Sequence, residues 1–323
     1  MTRRAGVVVL VLVLLAASAT AALILTRDEE RTPVPVVQEH ADGLALVMVR
    51  APGGPFAAVV GSTGGEDGAV VVPTEVQVTI PGQGEGTLRE ALQLPPRQAA
   101  TTVANLLGVW VDHSAVLGPE RLSAVIDRAG GITVGDEVLD GAGVLGMLEE
   151  AGEGGTAAFA LVMQGLLEAD AEWQPPDLAK ADSPSSVLDI LGSAAGATVA
   201  TVPSVEAATD IFQAEPEAVR ATLVEAFGGP DREVVSVIVL NGSGVPGVGE
   251  LVAERIVPGG FRVVVSENAS SFDHEETLVV VGSADDVALG QAVRDLLGTG
   301  SVNVSVSSGI APVTVVVGKD LGG

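Results

Sequence analysis

The chain has no cysteine and no tyrosine, and aromatic residues make up only 2% of its 323 positions. Without cysteine there are no disulfides, thiolate metal ligands or cysteine nucleophiles, so stability must come from packing. The shortage of aromatics leaves few platforms for stacking sugars or bases. Cations are scarce as well: 16 Lys and Arg stand against 42 Asp and Glu, a formal net charge of −26. Such a surface repels a polyphosphate backbone and anionic lipid headgroups, so nucleic acid is excluded as an expected partner. Histidine occurs only at His40, His113 and His274, with no second His on one helical face, and no zinc site is expected. Asp273-His274-Glu275-Glu276 reads as a solvated loop between strands rather than a cation site. No spacing or nucleophile elbow selects a Ser-His-Asp arrangement. No cofactor is implied.

One long apolar run is present. Gly6 to Thr26 carries no charge and as a helix would reach about 31 Å, the thickness of a bilayer core. Arg3 and Arg4 precede it and Asp28-Glu29-Glu30 follow, so the positive-inside tendency puts the amino terminus in the cytoplasm and the bulk outside. The expected order is a cytoplasmic tail at 1–5, a single membrane-spanning helix at 6–26 and a linker at 27–42, stiffened by Thr32-Pro33-Val34-Pro35. The alternative is a secreted chain released at Ala17-Ser18-Ala19 or Ala19-Thr20-Ala21. Ala22 to Leu25 continue the apolar run past both sites, which favours the anchor.

Beyond the linker, strands and helices alternate in α/β fashion. Leu44 to Val49, Ala57 to Val60, Ala69 to Val72 and Val76 to Ile80 read as strands, the last closed by Pro81-Gly82. Helices are expected at 97–107 with Gly108 as cap, from Pro119 to Ala129, at 141–150, 156–168 and 186–195, and from Pro216 to Phe227. Trp173 to Ser186 reads as a loop or linker, and Gly228-Gly229-Pro230-Asp231 is the clearest domain boundary. The expected domains are therefore 43–228 and 232–321.

The second of these is a small α/β module. Val234 to Leu240 is β-branched and reads as a buried strand; Asn241 leads from it into Gly242-Ser243-Gly244-Val245-Pro246-Gly247, which satisfies G-x-G-x-x-G. Val248, Leu251, Val252 and Ile256 follow at helical spacing, Pro258-Gly259-Gly260 stops the helix, and Phe261 to Val265 forms a strand ending near Glu267. Later, Asp285-Asp286 read as capping residues of a helix whose buried stripe includes Leu289, Val293 and Leu297. The turn leaves several readings open. A dinucleotide pocket would place an acid such as Glu267 on a ribose, but two βαβαβ halves need more than the roughly ninety residues available. Glycines at such a turn also follow from a tight bend alone. A third possibility is that the helix amino terminus after Gly247 receives an anionic glycan or phosphate, with Asn241, Gly242, Gly244 and Gly247 as the candidate binding turn.

VIVLNGSGVPGVGELVAERIVPGGFRVV, then ENAS, then VTVVVGKDL closely resemble the C-terminal domain found after the catalytic domain of LytR-CpsA-Psr cell-envelope proteins, over Val234 to Leu321. The segment from Leu44 to Phe227 then resembles that family's catalytic domain. Val72 to Gly82 (VPTEVQVTIPG) is similar to its strand-and-turn motif, I-P-R-D followed by V-x-I-P-G. VANLLGV at 103–109, Asp112-His113, LSAVIDRAGGITV at 122–134 and Leu139 to Met147 occur in the family order. The resemblance implies phosphotransferases that move lipid-pyrophosphate-linked glycopolymers onto the cell wall, with arginines on the pyrophosphate and aspartates on a divalent metal.

The residues for that chemistry are missing. Thr74 and Glu75 stand where the motif has Arg and Asp; Glu149 and Ala151 fall where an arginine pair is expected. Thr156 to Leu167 replaces an arginine-rich helix without one basic residue, and Gly53 to Ala58 has no Arg-Ser-Asp. Only Arg50, Arg89, Arg97, Arg121 and Arg128 remain as arginines between 44 and 200. A carboxylate in place of an Arg fork repels a pyrophosphate, and Thr or Ala supplies no charge. The sequence thus predicts an anchored extracytoplasmic protein with a degenerate catalytic-like α/β domain, a small C-terminal α/β domain, no catalytic residues and no metal. Its expected partners are the membrane through 6–26 and a cell-wall glycopolymer or other envelope proteins. The alternatives are an active phosphotransferase and a glycan- or anion-binding module.

Overall fold

Strands buried on both faces are written as continuous apolar runs, and the chain opens with three of them. In the computed structural model, which describes residues 43–63, 66–169, 171–229, 233–305 and 309–322, β1 (Leu44–Ala51), β2 (Gly54–Ser62) and β3 (Asp67–Val72) form an antiparallel meander. The expected anchor and linker lie outside the described residues, among which no helix is long and apolar enough to cross a membrane. A hairpin of β4 (Gln77–Ile80) and β5 (Gly84–Thr87) follows, then α1 (Leu88–Ala91) and α2 (Pro96–Leu107). Next come β6 (His113–Leu117), α3 (Pro119–Arg128), the hairpin β7 (Ile132–Val134) and β8 (Glu137–Leu139), α4 (Gly141–Ala151), α5 (Thr156–Glu168) and α6 (Pro184–Ser193). β9 (Thr198–Thr201), the hairpin β10 (Val205–Ala208) and β11 (Ile211–Gln213), and α7 (Pro216–Phe227) complete this part. The first sheet has the order β6-β1-β2-β3-β9, with β6 and β9 parallel to their neighbours.

Alternation along these strands sends one set of side chains to each face. Ala45, Val47, Val49, Phe56, Ala58 and Val60 meet α3 to α6; Leu44, Leu46, Met48, Ala57 and Val59 meet α1, α2 and α7. The stretch 173–186 is less open than its prolines suggest. Pro175 to Asp177 forms a 3-10 turn, and Pro184 starts α6 two residues before the expected Ser186, because proline is pre-organised for a first helical position. There Asp177 is almost fully buried and takes both nitrogens of Arg128, at 2.6 and 2.9 Å.

The remainder runs β12 (Val235–Asn241), α8 (Val248–Ile256), β13 (Phe261–Asn268), β14 (Leu278–Val281), α9 (Val287–Leu297), β15 (Ser301–Val304), β16 (Val313–Val317) and α10 (Lys319–Gly322). Its sheet has the order β13-β12-β16-β14-β15, parallel except where β14 meets β16. Asp286 stands before α9 as expected, but its side chain does not cap: it accepts from Ser283 Oγ, which is also bonded by the Asp285 amide.

β13 is an edge strand, and its outer side is not left to solvent. Asn105, on α2 and 2% exposed, donates Nδ2 to the Val263 carbonyl at 2.8 Å and accepts the Val263 amide on Oδ1 at 2.7 Å. One side-chain amide thus does what a neighbouring strand would do. Thr79 Oγ1 donates to the Val264 carbonyl, and the Gly82 amide donates to Ser266 Oγ. Beneath these bonds a single apolar cluster runs from Val103 and Leu107 through Val252 and Ile256 to Val263 and Val315. The two sheets therefore share a core.

Asn105→Ala would leave the Val263 amide and carbonyl buried without partners, and is expected to cost about 3 kcal/mol of stability; a loss below about 0.5 kcal/mol in denaturant unfolding would contradict the edge-capping role. Asp177 gives a second test. Burial favours its neutral form, but the hydrogen bonds from Arg128 and the Gln174 amide outweigh this and hold the carboxyl below its ordinary value. With the folded value depressed, its stabilising contribution is complete above the unfolded pKa and is lost as pH falls through the folded one. Stability of the unmodified chain should therefore drop more steeply below about pH 4 than that of Asp177→Asn; parallel curves would rule this out.

Candidate functional site

Two places carry the functional question: the region of the missing catalytic cations, and the glycine-rich turn. At the first, Thr74 is 2% exposed at the end of the meander, and its carbonyl accepts the Arg89 amide at 2.8 Å. The Arg89 guanidinium folds back over it, with Nη2 3.4 Å from Thr74 Oγ1 and 2.9 Å from the Glu153 carbonyl, while Nη1 pairs with Glu153 Oε1 at 3.3 Å. Arg89 is thus the one arginine of the five that hydrogen-bonds Thr74, and it is paired with the exposed Glu153. Of the others, Arg97 pairs with Glu254 at 2.6 Å across the two sheets, Arg128 holds Asp177, Arg121 lies within the field of Asp177, and Arg50 is exposed at the end of β1.

Glu149 and Ala151, on α4, are exposed, and the α4 backbone lies against Gly53. Glu75 accepts weakly from Ser204 Oγ at 3.4 Å through Oε1, and its Oε2 is buried without a partner. Behind this region the space between the first sheet and α5 is filled. Phe56 and Phe159 stack with centroids 5.1 Å apart, and Phe159, Val162 and Met163 are fully buried. The α5 stretch that lacks basic residues is therefore a packing helix.

At the second place β12 ends on Asn241, whose side chain organises the turn. Its Oδ1 accepts from the Ser243 amide and hydroxyl and from the Gly244 amide at 2.9–3.1 Å, and its Nδ2 donates to the Val245 carbonyl. Gly242 is fixed from the other side, by its amide to Val317 and its carbonyl from the His274 amide. Gly247, with φ of +83°, occupies the left-handed conformation that leads into α8. A phosphate cradle needs free amides, and the Ser243 and Gly244 amides are spent on Asn241.

The first turn of α8 is also covered. Gly249 abuts the Pro81-Gly82 turn so closely that a Cβ there would lie 2.5 Å from the Gly82 nitrogen and 2.7 Å from Ser266 Oγ. Beside this contact lies a cavity of about 370 Å³, lined by Asn241, Gly244 and Gly247 together with Gln83, Asn268 and the half-exposed Phe272. The one charged lining group is Glu267. Burial, and then repulsion from Glu254, push the nearby Glu250 carboxyl above its ordinary value despite Arg97. Three of the four expected turn residues thus share the cavity, and Gly242 lies behind it. Asn268 belongs to the ENAS stretch of the family resemblance, but Gln83 and Phe272 carried no motif; Gln83 comes from the β4–β5 hairpin, which only the tertiary structure brings here.

This strand, turn and helix fall within a known family. Residues 234–321 match the family described as "LytR cell envelope-related transcriptional attenuator". They form a LytR C-terminal domain. Among solved structures, similar chains include a LytR-Csp2A-Psr enzyme from Actinomyces oris, 15% identical with a TM-score of 0.46 over 61% of this chain and 95% of that one. A transcriptional regulator from Enterococcus faecalis is 17% identical, with a TM-score of 0.44 over 59% and 89%. The LytR-CPS2A-psr family protein TagT with bound octaprenyl pyrophosphate lipid is 14% identical, with a TM-score of 0.44 over 63% and 95%. No curated protein matches the chain.

Proposed function

We propose that the chain is a membrane-anchored, extracytoplasmic protein of LytR-CpsA-Psr type that acts without catalysis, as a scaffold or binding accessory in cell-wall glycopolymer assembly. One observation carries the non-catalytic part: Arg89, the arginine that hydrogen-bonds Thr74, already has the Glu153 carboxylate as its counter-ion. Transfer of a pyrophosphate-linked glycan needs fixed cations facing the charge that develops on the phosphates. Here the chain offers one paired cation with Glu75 next in sequence. The packed Phe56–Phe159 layer supports the same reading, since it fills the space beside the sheet. The envelope setting rests on the LytR C-terminal domain and on the apolar run at 6–26. The purified full chain, incubated with a polyprenyl-pyrophosphate glycan and Mg²⁺, is expected to release no polyprenyl phosphate above the no-protein rate. Turnover would establish the alternative, an active phosphotransferase.

The cavity at the glycine-rich turn favours a second role within the first. Its polar wall of Gln83, Ser266 and Asn268, with Phe272 as a single aromatic face, suits hydroxyls better than phosphates, because Glu267 repels anions and Asn241 occupies the turn amides. A neutral glycan segment is therefore favoured over the anionic one that the sequence suggested. Binding of a neutral cell-wall oligosaccharide should weaken about tenfold in Phe272→Ala, with folding intact because the ring is half exposed. Unchanged affinity, or tighter binding of a phosphorylated glycan, would reject this role.

A further inference from the structure

A larger cavity, of about 600 Å³, lies on the seam between the two sheets, away from both places already described. Leu107, Val109, Leu223 and Val234 make its apolar wall. Arg262, the second residue of β13, projects into it while its neighbours Phe261 and Val263 enter the shared core. Its Nη2 runs beside the end of α2, where a Cβ on Gly108 would lie 3.4 Å away. The helix carboxyl end supplies only a partial negative charge there. The Nε of Arg262 is buried and has no hydrogen-bond partner, and no ion pair reaches the guanidinium among the described residues. Burial accordingly disfavours its charge. The side chain as a whole is only partly buried, with Nε in its closed part, and a carboxylate is the natural complement of a guanidinium that lacks a counter-ion.

The remaining lining sets what kind of carboxylate. Glu215, Glu217 and Glu233 face the same space, against Arg262 and an Arg220 that is already engaged. Three carboxylates oppose a phosphate dianion but welcome an ammonium. We infer that this seam cavity binds a small zwitterion, an amino acid or dipeptide, with its carboxylate on Arg262, its ammonium toward the glutamates and its apolar side chain on Leu107, Val109 and Leu223. The volume lies within the range of small-ligand pockets. Because the wall is drawn from α2 and α7 on one side and from β12 and β13 on the other, such a ligand would also strengthen the joint between the sheets.

The test uses the full chain in detergent, with leucyl-alanine, its C-terminal amide and inorganic phosphate as probes in calorimetric and thermal titrations. Leucyl-alanine should raise the melting temperature and bind on the order of tenfold more tightly than its amide. Arg262→Met should abolish that shift while remaining folded, because it keeps an unbranched side chain of similar reach and removes a charge that has no counter-ion among the described residues. Arg262→Lys keeps the charge, loses the fork and should bind more weakly while folded. The proposal is overturned if leucyl-alanine leaves the unmodified chain unmoved, if the amide acts equally, if phosphate binds more tightly, or if Arg262→Lys binds as well as the unmodified chain.

Discussion

The outer edge of β13 is the constraint on which the rest depends. An edge strand with unmet amides and carbonyls must find water or another partner, and here the partner is the first sheet's own periphery. Asn105 supplies a donor and an acceptor to Val263, while the β4–β5 hairpin supplies Thr79 and the Gly82 amide. Because these bonds overlie one apolar cluster, the face of the first sheet under α1, α2 and α7 shares its core with the second sheet, while its other face packs on α3 to α6 alone. A flexible tether would not need buried polar contacts of this kind.

That docking explains the character of the glycine-rich turn. Closeness between Gly82 and Gly249 forbids a side chain at the start of α8 and covers the place where a pyrophosphate would rest on the helix. Asn241 completes the change by turning inward the amides that such a group would use. What persists is a small polar cavity with one aromatic face. The same docking encloses Arg262 at the other end of β13, so both cavities are products of the joint.

Charge decides the rest. With 42 acids against 16 Lys and Arg, the chain has few cations to place, and the fold commits several of them to partners: Arg89 to Glu153, Arg97 to Glu254, Arg128 to Asp177, Lys319 to Glu275. A paired cation on a packed scaffold is a structural group. Arg262 differs because its partner is not supplied by the described residues, which is why it points to a ligand while Arg89 does not.

Much of the architecture was legible in the sequence, because strong local signals agree with one another. The apolar runs at 44–49, 57–60 and 69–72 became the central meander, and α5 and α7 span 156–168 and 216–227 as their patterns require. Weak elements were not legible. β9 is a four-residue Thr-Val-Ala-Thr strand that exists because β3 offers it an edge, and the β10–β11 hairpin carries no apolar alternation. The absence of arginines at 74, 149 and 151 could be read directly, as could G-x-G-x-x-G, because each is a property of residue identity. Whether those glycines open a cradle or a tight bend depended on the Asn241 side chain and on a hairpin more than 150 residues earlier. Which arginine is paired, and which is left without a counter-ion, likewise depended on contacts between distant segments. Local sequence fixes propensity and charge; only tertiary packing decides which polar groups meet each other and which are left for something else.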